Sequence, residues 1–131
     1  MRLNHLSVLL AATVLTTAGA ANAAAPAKTA NHCFFITEWQ GWSSPSPSVL
    51  LLGVRNHDVY RVDLAAPAPA LSWPGMHLVS VSRGGGSVCA AIDLDLKVAD
   101  TEGFPQPLFP KTLTKLTPEE VAAIPPKNRP N

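Results

Sequence analysis

The chain has 131 residues, and its 10 Lys and Arg residues against 9 Asp and Glu residues give a formal net charge of +1. Proteins that bind nucleic acid draw most of their affinity from clustered basic side chains that neutralise phosphates, and this sequence has no such cluster. It also lacks an acidic tail and a basic amphipathic helix. Composition therefore argues against nucleic acid as a partner.

The first 23 residues have the pattern of a secretory signal peptide. Arg2 supplies a positive head, the run from Leu6 to Leu15 is mostly apolar, and Ala21-Asn22-Ala23 is a small-residue cleavage site. The apolar run is about half as long as a membrane-spanning helix, and no second hydrophobic segment follows it. The alternative is a buried N-terminal helix. The pattern predicts a periplasmic or secreted protein without a membrane span in its mature form.

Removal of residues 1–23 would balance the basic and acidic residues of the remaining chain. Residues 24–31 are small and polar without periodicity, which predicts a flexible lead-in. We expect one β-rich domain over residues 32–124 and a disordered polar tail over residues 125–131.

Both cysteines, Cys33 and Cys89, lie in the predicted mature chain. An even count in an exported protein indicates a disulfide bond. A reactive thiol is the alternative, but neither cysteine lies in a C-x-x-C pair and each has apolar neighbours, which raise a thiol pKa. The sequence predicts a structural Cys33–Cys89 bridge.

The longest strand-like segment runs from Ser48 to Leu64. Its second half places Tyr60, Val62 and Leu64 on one face, which is typical of a half-buried strand. Between its two halves, the residues from Arg55 to Asp58 include Asn and Asp and favour a hairpin turn. The central prediction is therefore a β-hairpin.

Further strands are predicted on both sides of this hairpin. They are His32 to Trp42, with a short helix as the alternative; Met76 to Ser82; Ser87 to Val98, with Ile92, Leu94, Leu96 and Val98 inward; and an edge strand from Lys111 to Leu116. The Ser/Pro run from Ser43 to Ser48 is expected outside any sheet. The Pro-rich run from Ala65 to Gly75 is expected to be a crossing loop. The glycines after Arg83 are expected to form a hairpin turn.

The last element has the features of a short helix. Thr117 can act as N-cap, with Pro118 at the first helical position and Glu120 completing a capping box. Pro125 and Pro126 end it. Together the elements predict a mainly β fold: a small twisted antiparallel sheet or a partly closed barrel, with one short C-terminal helix.

Three tryptophans, Trp39, Trp42 and Trp73, are candidates for stacking against a ligand, although aromatic side chains in a small domain are more often core. The sequence gives little indication of an active site, because it has no nucleophile-elbow motif and its histidines lie in no metal-binding motif. Asp93 and Asp95 lie two apart and could contribute to a calcium site, but the EF-hand loop pattern is absent and a solvated strand face explains the two acids. No catalytic residue, metal site or cofactor is predicted.

The order of several motifs resembles a family of small exported proteins of Gram-negative bacteria, catalogued as a domain of unknown function. The motifs are Cys33 opening the first strand, Tyr60-x-Val62-x-Leu64, a loop ending in Leu71, Val88-Cys89, and Leu116 to Val121 at the end. Family members often carry a second cysteine pair, which this chain lacks. Because the family has no established activity, the resemblance implies export and assigns no functional residue.

The leading functional prediction is a non-enzymatic envelope protein that binds an unidentified protein or small molecule. One alternative is a small hydrolase or metal-dependent enzyme that uses His57, His77, Asp58 and Asp63. Another is a structural envelope subunit that associates through a sheet edge. An enzyme needs at least two of the four polar groups in one pocket, whereas a binding module needs only an apolar surface patch.

Overall fold

The computed structural model describes residues 32–82 and 85–130, in which nine strands form three antiparallel sheets. The strands are β1 (Phe34–Phe35), β2 (Trp39–Ser46), β3 (Val49–Val54), β4 (Asp58–Leu64), β5 (His77–Ser82), β6 (Ser87–Val88), β7 (Leu94–Ala99), β8 (Gln106–Pro107) and β9 (Pro110–Lys115). A short helix, α1 (Pro118–Ala123), follows β9. The sheets have the orders β2-β3-β4-β9, β5-β7-β8 and β1-β6.

The predicted central hairpin is confirmed as β3 and β4. These strands pair without a register shift from Val49 opposite Asp63 to Val54 opposite Asp58, and a turn over Arg55–His57 joins them. Tyr60, Val62 and Leu64 face the core, as their alternation predicts. The four-stranded sheet is therefore built around this hairpin, with β2 on one side and β9 on the other.

The four-stranded and three-stranded sheets share one hydrophobic core. Its members from the two sheets are Leu50, Leu52, Val54, Tyr60, Val62 and Leu64, together with Leu78, Leu94, Leu96 and Val98. The predicted crossing loop connects β4 to β5 and adds Ala70 and Leu71, which lie in a 3-10 turn over Pro69–Ser72. Burial of each large aliphatic side chain contributes about 2 kcal/mol, so this shared core is the main source of stability.

The predicted mainly β fold with one short C-terminal helix is confirmed. None of the three described sheets closes on itself, so the open-sheet form of the prediction is the one observed. The predicted capping box is also present, because Glu120 N donates to Thr117 Oγ1 at 3.2 Å and Thr117 N donates to Glu120 Oε2 at 2.8 Å. Within residues 32–82 and 85–130, no helix is long and apolar enough to cross a membrane.

Two segments predicted as continuous strands are broken by 3-10 turns. The predicted strand from His32 to Trp42 is interrupted at Ile36–Glu38, where Phe35 N donates to Glu38 Oε2 at 3.1 Å. The predicted strand from Ser87 to Val98 is interrupted at Ala91–Asp93. There the amides of Cys89 and Ala90 donate to Asp93 Oδ2, both at 2.9 Å. These carboxylates offer the backbone local partners in place of a strand ladder.

The second break overturns one core prediction. Ile92 was expected to point inward with Leu94, Leu96 and Val98, but it lies in the turn and is 89% exposed. The other three side chains are buried as predicted.

Strand pairing differs from the prediction at two further places. The chain after the glycine run does not return as a hairpin, because β6 pairs with β1 while β5 pairs with β7. The Ser/Pro run is also not outside the sheet, since β2 continues through Pro45 to Ser46. Proline is tolerated there because β2 is an edge strand and its register with β3 shifts between Ser43 and Ser46.

The C-terminal segment, predicted to be a disordered tail, is ordered through Pro130. Pro126–Asn128 form a 3-10 turn, and Ser43 Oγ on β2 donates to Asn128 O at 2.6 Å. Proline restricts the backbone in the segment, and the hydrogen bond holds it against the four-stranded sheet.

The predicted disulfide bond is confirmed, with Cys33 and Cys89 joined at an S–S distance of 2.05 Å. It lies beside the β1–β6 ladder, in which Phe34 is opposite Val88. The bridge therefore fixes the start of the domain to the middle of the chain. The predicted signal peptide and the lead-in over residues 24–31 lie outside the described residues.

Candidate functional site

A groove of about 540 Å³ lies between the four-stranded sheet and the C-terminal segment. Its volume falls within the range of small-molecule sites, which is about 300 to 1,000 Å³. It is lined by Gln40, Gly41, Gly53, Val54, His57, Asp58, Val59, Pro118, Val121, Ala122, Ile124, Arg129 and Pro130. The four-stranded sheet thus forms the floor of the groove, and α1 and the C-terminal segment form a wall. The polar side chains are those of Gln40, His57, Asp58 and Arg129.

Two glycines let the C-terminal segment lie close to the four-stranded sheet. Gly41 on β2 is directly opposite Gly53 on β3. A Cβ placed on Gly53 would lie 3.2 Å from Pro130 Cβ, which is tighter than most side-chain contacts. Glycine in a strand often marks such a close approach, and here it allows Pro130 to form part of the groove.

The β3–β4 turn brings His57 to the groove. Asn56 and His57 have φ angles of 66° and 64°, in the left-handed region. Asn adopts this conformation readily, whereas most other residues that have a side chain adopt it at a cost. A histidine therefore occupies a strained position beside the candidate site, and retained strain of this kind is typical of functional positions.

The acidic group of the groove is neutralised within the protein. Lys115 Nζ on β9 lies 2.7 Å from Asp58 Oδ2 on β4. This hydrogen bond raises the pKa of Lys115 above its ordinary value, so the lysine remains a cation at neutral pH. The pair adds no net charge to the groove.

The basic group of the groove is not balanced in the same way. Arg129 Nε donates to the carbonyl oxygen of Ile124 at 3.2 Å, which holds the guanidinium group near the end of α1. No carboxylate of the described residues forms an ion pair with Arg129. With Asp58 paired to Lys115, the groove has an excess of positive charge.

A second, smaller pocket of about 390 Å³ adjoins the same turn. Asn56, His57, Asp58 and Lys115 line it, with Leu116, Pro118 and Val121 from the start of α1. Because His57, Asp58, Pro118 and Val121 line both spaces, the turn and the helix are shared walls of one candidate site.

The three candidate stacking tryptophans do not line this groove. Trp39 and Trp42 are half-buried against the core side of the sheet, and Trp39 Nε1 donates to the carbonyl oxygen of Gly41 at 2.7 Å. Trp73 is 58% exposed at the end of the 3-10 turn in the crossing loop. Ligand stacking by these residues stays a prediction.

The four polar residues of the enzyme hypothesis are only partly brought together. His57 and Asp58 line the groove, whereas His77 begins β5 in the other large sheet. Asp63 accepts hydrogen bonds from Arg61 Nε and from Thr112 Oγ1, at 2.9 and 2.7 Å. These bonds hold the pKa of Asp63 below its ordinary value. Within the described ranges, no three or more His, Cys, Asp or Glu residues are grouped so that they could hold a metal ion.

Sequence reasoning missed Arg129, Gln40 and the glycine pair. Arg129 lies in the segment predicted to be disordered, and Gln40 lies where the register of β2 shifts. The available signal was an isolated glycine inside each of two predicted strands, which points to a close backbone approach. It could have indicated that something packs on this face, but not what packs there.

Comparison of the chain with protein-family models, with curated proteins and with solved structures finds no match. The function is therefore argued from the geometry of the site.

Proposed function

We propose that the protein is an exported, non-enzymatic binding module of the bacterial cell envelope that holds a small organic anion in the groove beside His57 and Arg129. Two features support export. The first 23 residues have the pattern of a signal peptide, and the Cys33–Cys89 disulfide is of the kind that persists in oxidising compartments. Membership in the exported family that the sequence resembles is part of the same proposal.

The observation that carries the ligand proposal is the charge balance of the groove. Its one carboxylate, Asp58, is neutralised by Lys115 at 2.7 Å, while Arg129 has no acidic partner among the described residues. A guanidinium group can donate paired hydrogen bonds to a carboxylate or a phosphate. The groove therefore favours a ligand that carries an anionic group.

The remainder of the groove favours an apolar ligand body. Val59, Val121 and Ile124 contribute aliphatic surface, and Pro118 and Pro130 contribute rigid rings. Gln40 and His57 add polar groups that can orient a bound molecule. Small-molecule sites usually combine apolar walls with a few placed polar groups in this way.

The first test is a binding titration with phenylacetate and with its uncharged counterpart, phenylacetamide. Amide chemical shifts of the protein report the location of binding, and those of Gly41 and Gly53 report the groove floor. We expect phenylacetate to shift these amides and phenylacetamide to bind at least about tenfold more weakly, because the charged hydrogen bond is lost.

Arg129→Gln is the matched variant, and Lys127→Gln is its control. Lys127 lies in the neighbouring turn and does not line the groove. We expect R129Q to weaken phenylacetate binding about tenfold and K127Q to leave it unchanged. Equal binding of the amide, or equal effects of the two substitutions, would overturn the anion proposal.

The export proposal has a separate test. The mass of the protein recovered from the periplasm is expected to correspond to a chain that starts at Ala24 with both cysteines blocked to alkylation. Retention of the leader, or two free thiols, would contradict export and leave the groove measurement unaffected.

A further inference from the structure

The C-terminal segment over residues 125–130 supplies Arg129 to the groove but has few bonds to the sheet. Three of its six residues are proline, and proline has no amide hydrogen to donate. The amides of Asn128 and Arg129 donate to carbonyl groups of the same turn, at 2.9 and 3.3 Å. In the part of the chain that the structure describes, one hydrogen bond connects the segment to a strand, from Ser43 Oγ on β2 to Asn128 O at 2.6 Å.

Two buried apolar side chains lie on the sheet face that α1 and this segment cover. Leu51 and Val59 are each 5% exposed, although neither belongs to the shared core. Val59 lines the groove, and Leu51 lines a neighbouring space of about 400 Å³ together with Ile124 and Asn128. Because there is open space on both sides of the segment, it covers the sheet without close packing along its length. The segment can therefore leave the sheet at a smaller cost than an element of the core.

Ser43 holds the segment from outside the groove. It lies opposite Leu51 in the β2–β3 ladder and does not line the groove. Its hydroxyl group donates to the carbonyl oxygen of Asn128, the residue directly before Arg129. Arg129 Nε in turn donates to the carbonyl oxygen of Ile124 at 3.2 Å. The Ser43 hydrogen bond therefore fixes the backbone that carries the guanidinium group, while the second bond orients the side chain.

An anion in the groove would connect the segment to the sheet. The floor of the groove includes Gly41 and Gly53 of β2 and β3, whereas Arg129 and Pro130 belong to the segment. A ligand that contacts both parts binds only the docked arrangement, and it stabilises that arrangement. This coupling is reciprocal, so an interaction that holds the segment on the sheet also favours binding of the anion.

We propose that Ser43 is a positioning residue for anion binding, which acts through Asn128 to keep Arg129 at the groove, and that a bound anion in turn holds the C-terminal segment on the sheet. This inference rests on the proposed function, and it adds a residue that controls the affinity of the same site without lining it.

Three substitutions on β2 form a matched set for testing this role. Ser43→Ala removes the hydroxyl group that binds the segment, whereas Ser43→Thr keeps a hydroxyl group. Ser44→Ala is the control on the same strand, because Ser44 Oγ donates to Ser46 O at 2.7 Å and this bond stays within β2. Positioning through the segment predicts an effect of S43A alone.

Trypsin cleavage after Lys127 measures release of the segment. This peptide bond lies in the 3-10 turn over Pro126–Asn128, so cleavage requires local opening. The bond after Arg129 precedes Pro130 and is resistant to trypsin. Without ligand, we expect S43A to lose residues 128–131 about fivefold faster than the wild type, and S44A and S43T to match the wild type. Equal rates for S43A and the wild type would overturn the role of Ser43.

Protection by the ligand tests the coupling. Phenylacetate at about ten times its dissociation constant is expected to slow cleavage after Lys127 about tenfold, because the anion must leave before the segment opens. The same concentration of phenylacetamide is expected to protect much less. A free peptide of residues 122–131 controls for inhibition of trypsin itself. Unchanged cleavage of a wild-type chain that the titration shows to be saturated with phenylacetate would overturn the coupling.

The affinity of the variants separates this inference from the proposed function. We expect S43A to bind phenylacetate about twofold to fivefold more weakly than the wild type, because Arg129 is present but less well held. S43T and S44A should bind like the wild type. If the wild type and S43A bound phenylacetate equally well, the positioning role would be wrong and the proposed function would stand. If the wild type did not bind phenylacetate, both proposals would be overturned.

Discussion

His57 is unusual at the scale of the single residue because its backbone conformation is one that histidine adopts at a cost. Its φ of 64° lies in the left-handed region, where an L-residue loses about 1 to 2 kcal/mol. The same residue lines the groove and the pocket beside it. Stability and the proposed ligand binding therefore make opposite demands on this position.

This conflict predicts that His57→Gly stabilises the domain by about 0.5 kcal/mol. Glycine relieves the backbone strain, and this gain exceeds the loss of about 0.4 to 1 kcal/mol that glycine causes by raising the conformational entropy of the unfolded chain. Urea denaturation of the two chains measures the difference. His57→Ala is the control, since alanine keeps the strain. If H57A were as stable as H57G, the φ angle would not be the source of the effect.

At the scale of the element, the sequence predicted strands well where alternation extends over a regular ladder. β4 and β7 were found from apolar residues at every second position, and α1 was found from its capping box. The 3-10 turns were missed because Glu38 and Asp93 bind amides three or four residues back. Alternating sequence does not reveal whether such a carboxylate faces solvent or bends its own chain.

The pairing of β4 with β9 has a pH dependence that can be measured. Burial raises the pKa of Tyr60, and the hydrogen bond to Asp58 raises that of Lys115, which is opposite Tyr60. A group whose pKa is higher in the folded state stabilises the fold fully below its unfolded pKa, and this stabilisation is lost as the pH rises through the folded value. Both groups therefore predict a loss of stability above about pH 10.

Urea denaturation at increasing pH tests this expectation, with Tyr60→Phe as the matched variant. The phenyl ring keeps the packing against Phe34, whose ring centroid lies 4.6 Å from that of Tyr60. We expect Y60F to lose less stability than the wild type above about pH 10. The chain has a single tyrosine, so tyrosinate absorbance reports this group directly. If the two proteins lost stability equally above about pH 10, the phenol group of Tyr60 would not contribute to the loss.

At the scale of the whole molecule, the sequence could predict which residues face a core but not which strands meet across it. The strands on either side of the glycine run do not pair with each other. Instead β6 pairs with β1 and β5 pairs with β7, so each pair joins segments that are separated in sequence. The groove escaped prediction for the same reason, since it exists only where Arg129 and Pro130 return to the glycine pair of β2 and β3. Long-range contacts of this kind leave little periodic trace in a single sequence.

The disulfide is the one long-range contact that the sequence did predict, and its removal tests how much the domain depends on it. Cys33 and Cys89 are 56 residues apart, and closing a loop of this length in the unfolded chain stabilises the folded state by about 4 kcal/mol. A domain of this size has a total stability of about 5 to 15 kcal/mol. We therefore expect the double variant Cys33→Ser/Cys89→Ser to be marginally folded, with a much lower urea midpoint.

Both cysteines are exposed, so the serines cost little packing and the comparison isolates the loop closure. Reduced wild-type protein is the matched control, and it should unfold at nearly the same urea concentration as the double variant. A loss below about 1 kcal/mol in both would mean that the shared core alone holds β1 against β6. In that case the Cys33–Cys89 bridge would not be a main source of the stability of this domain.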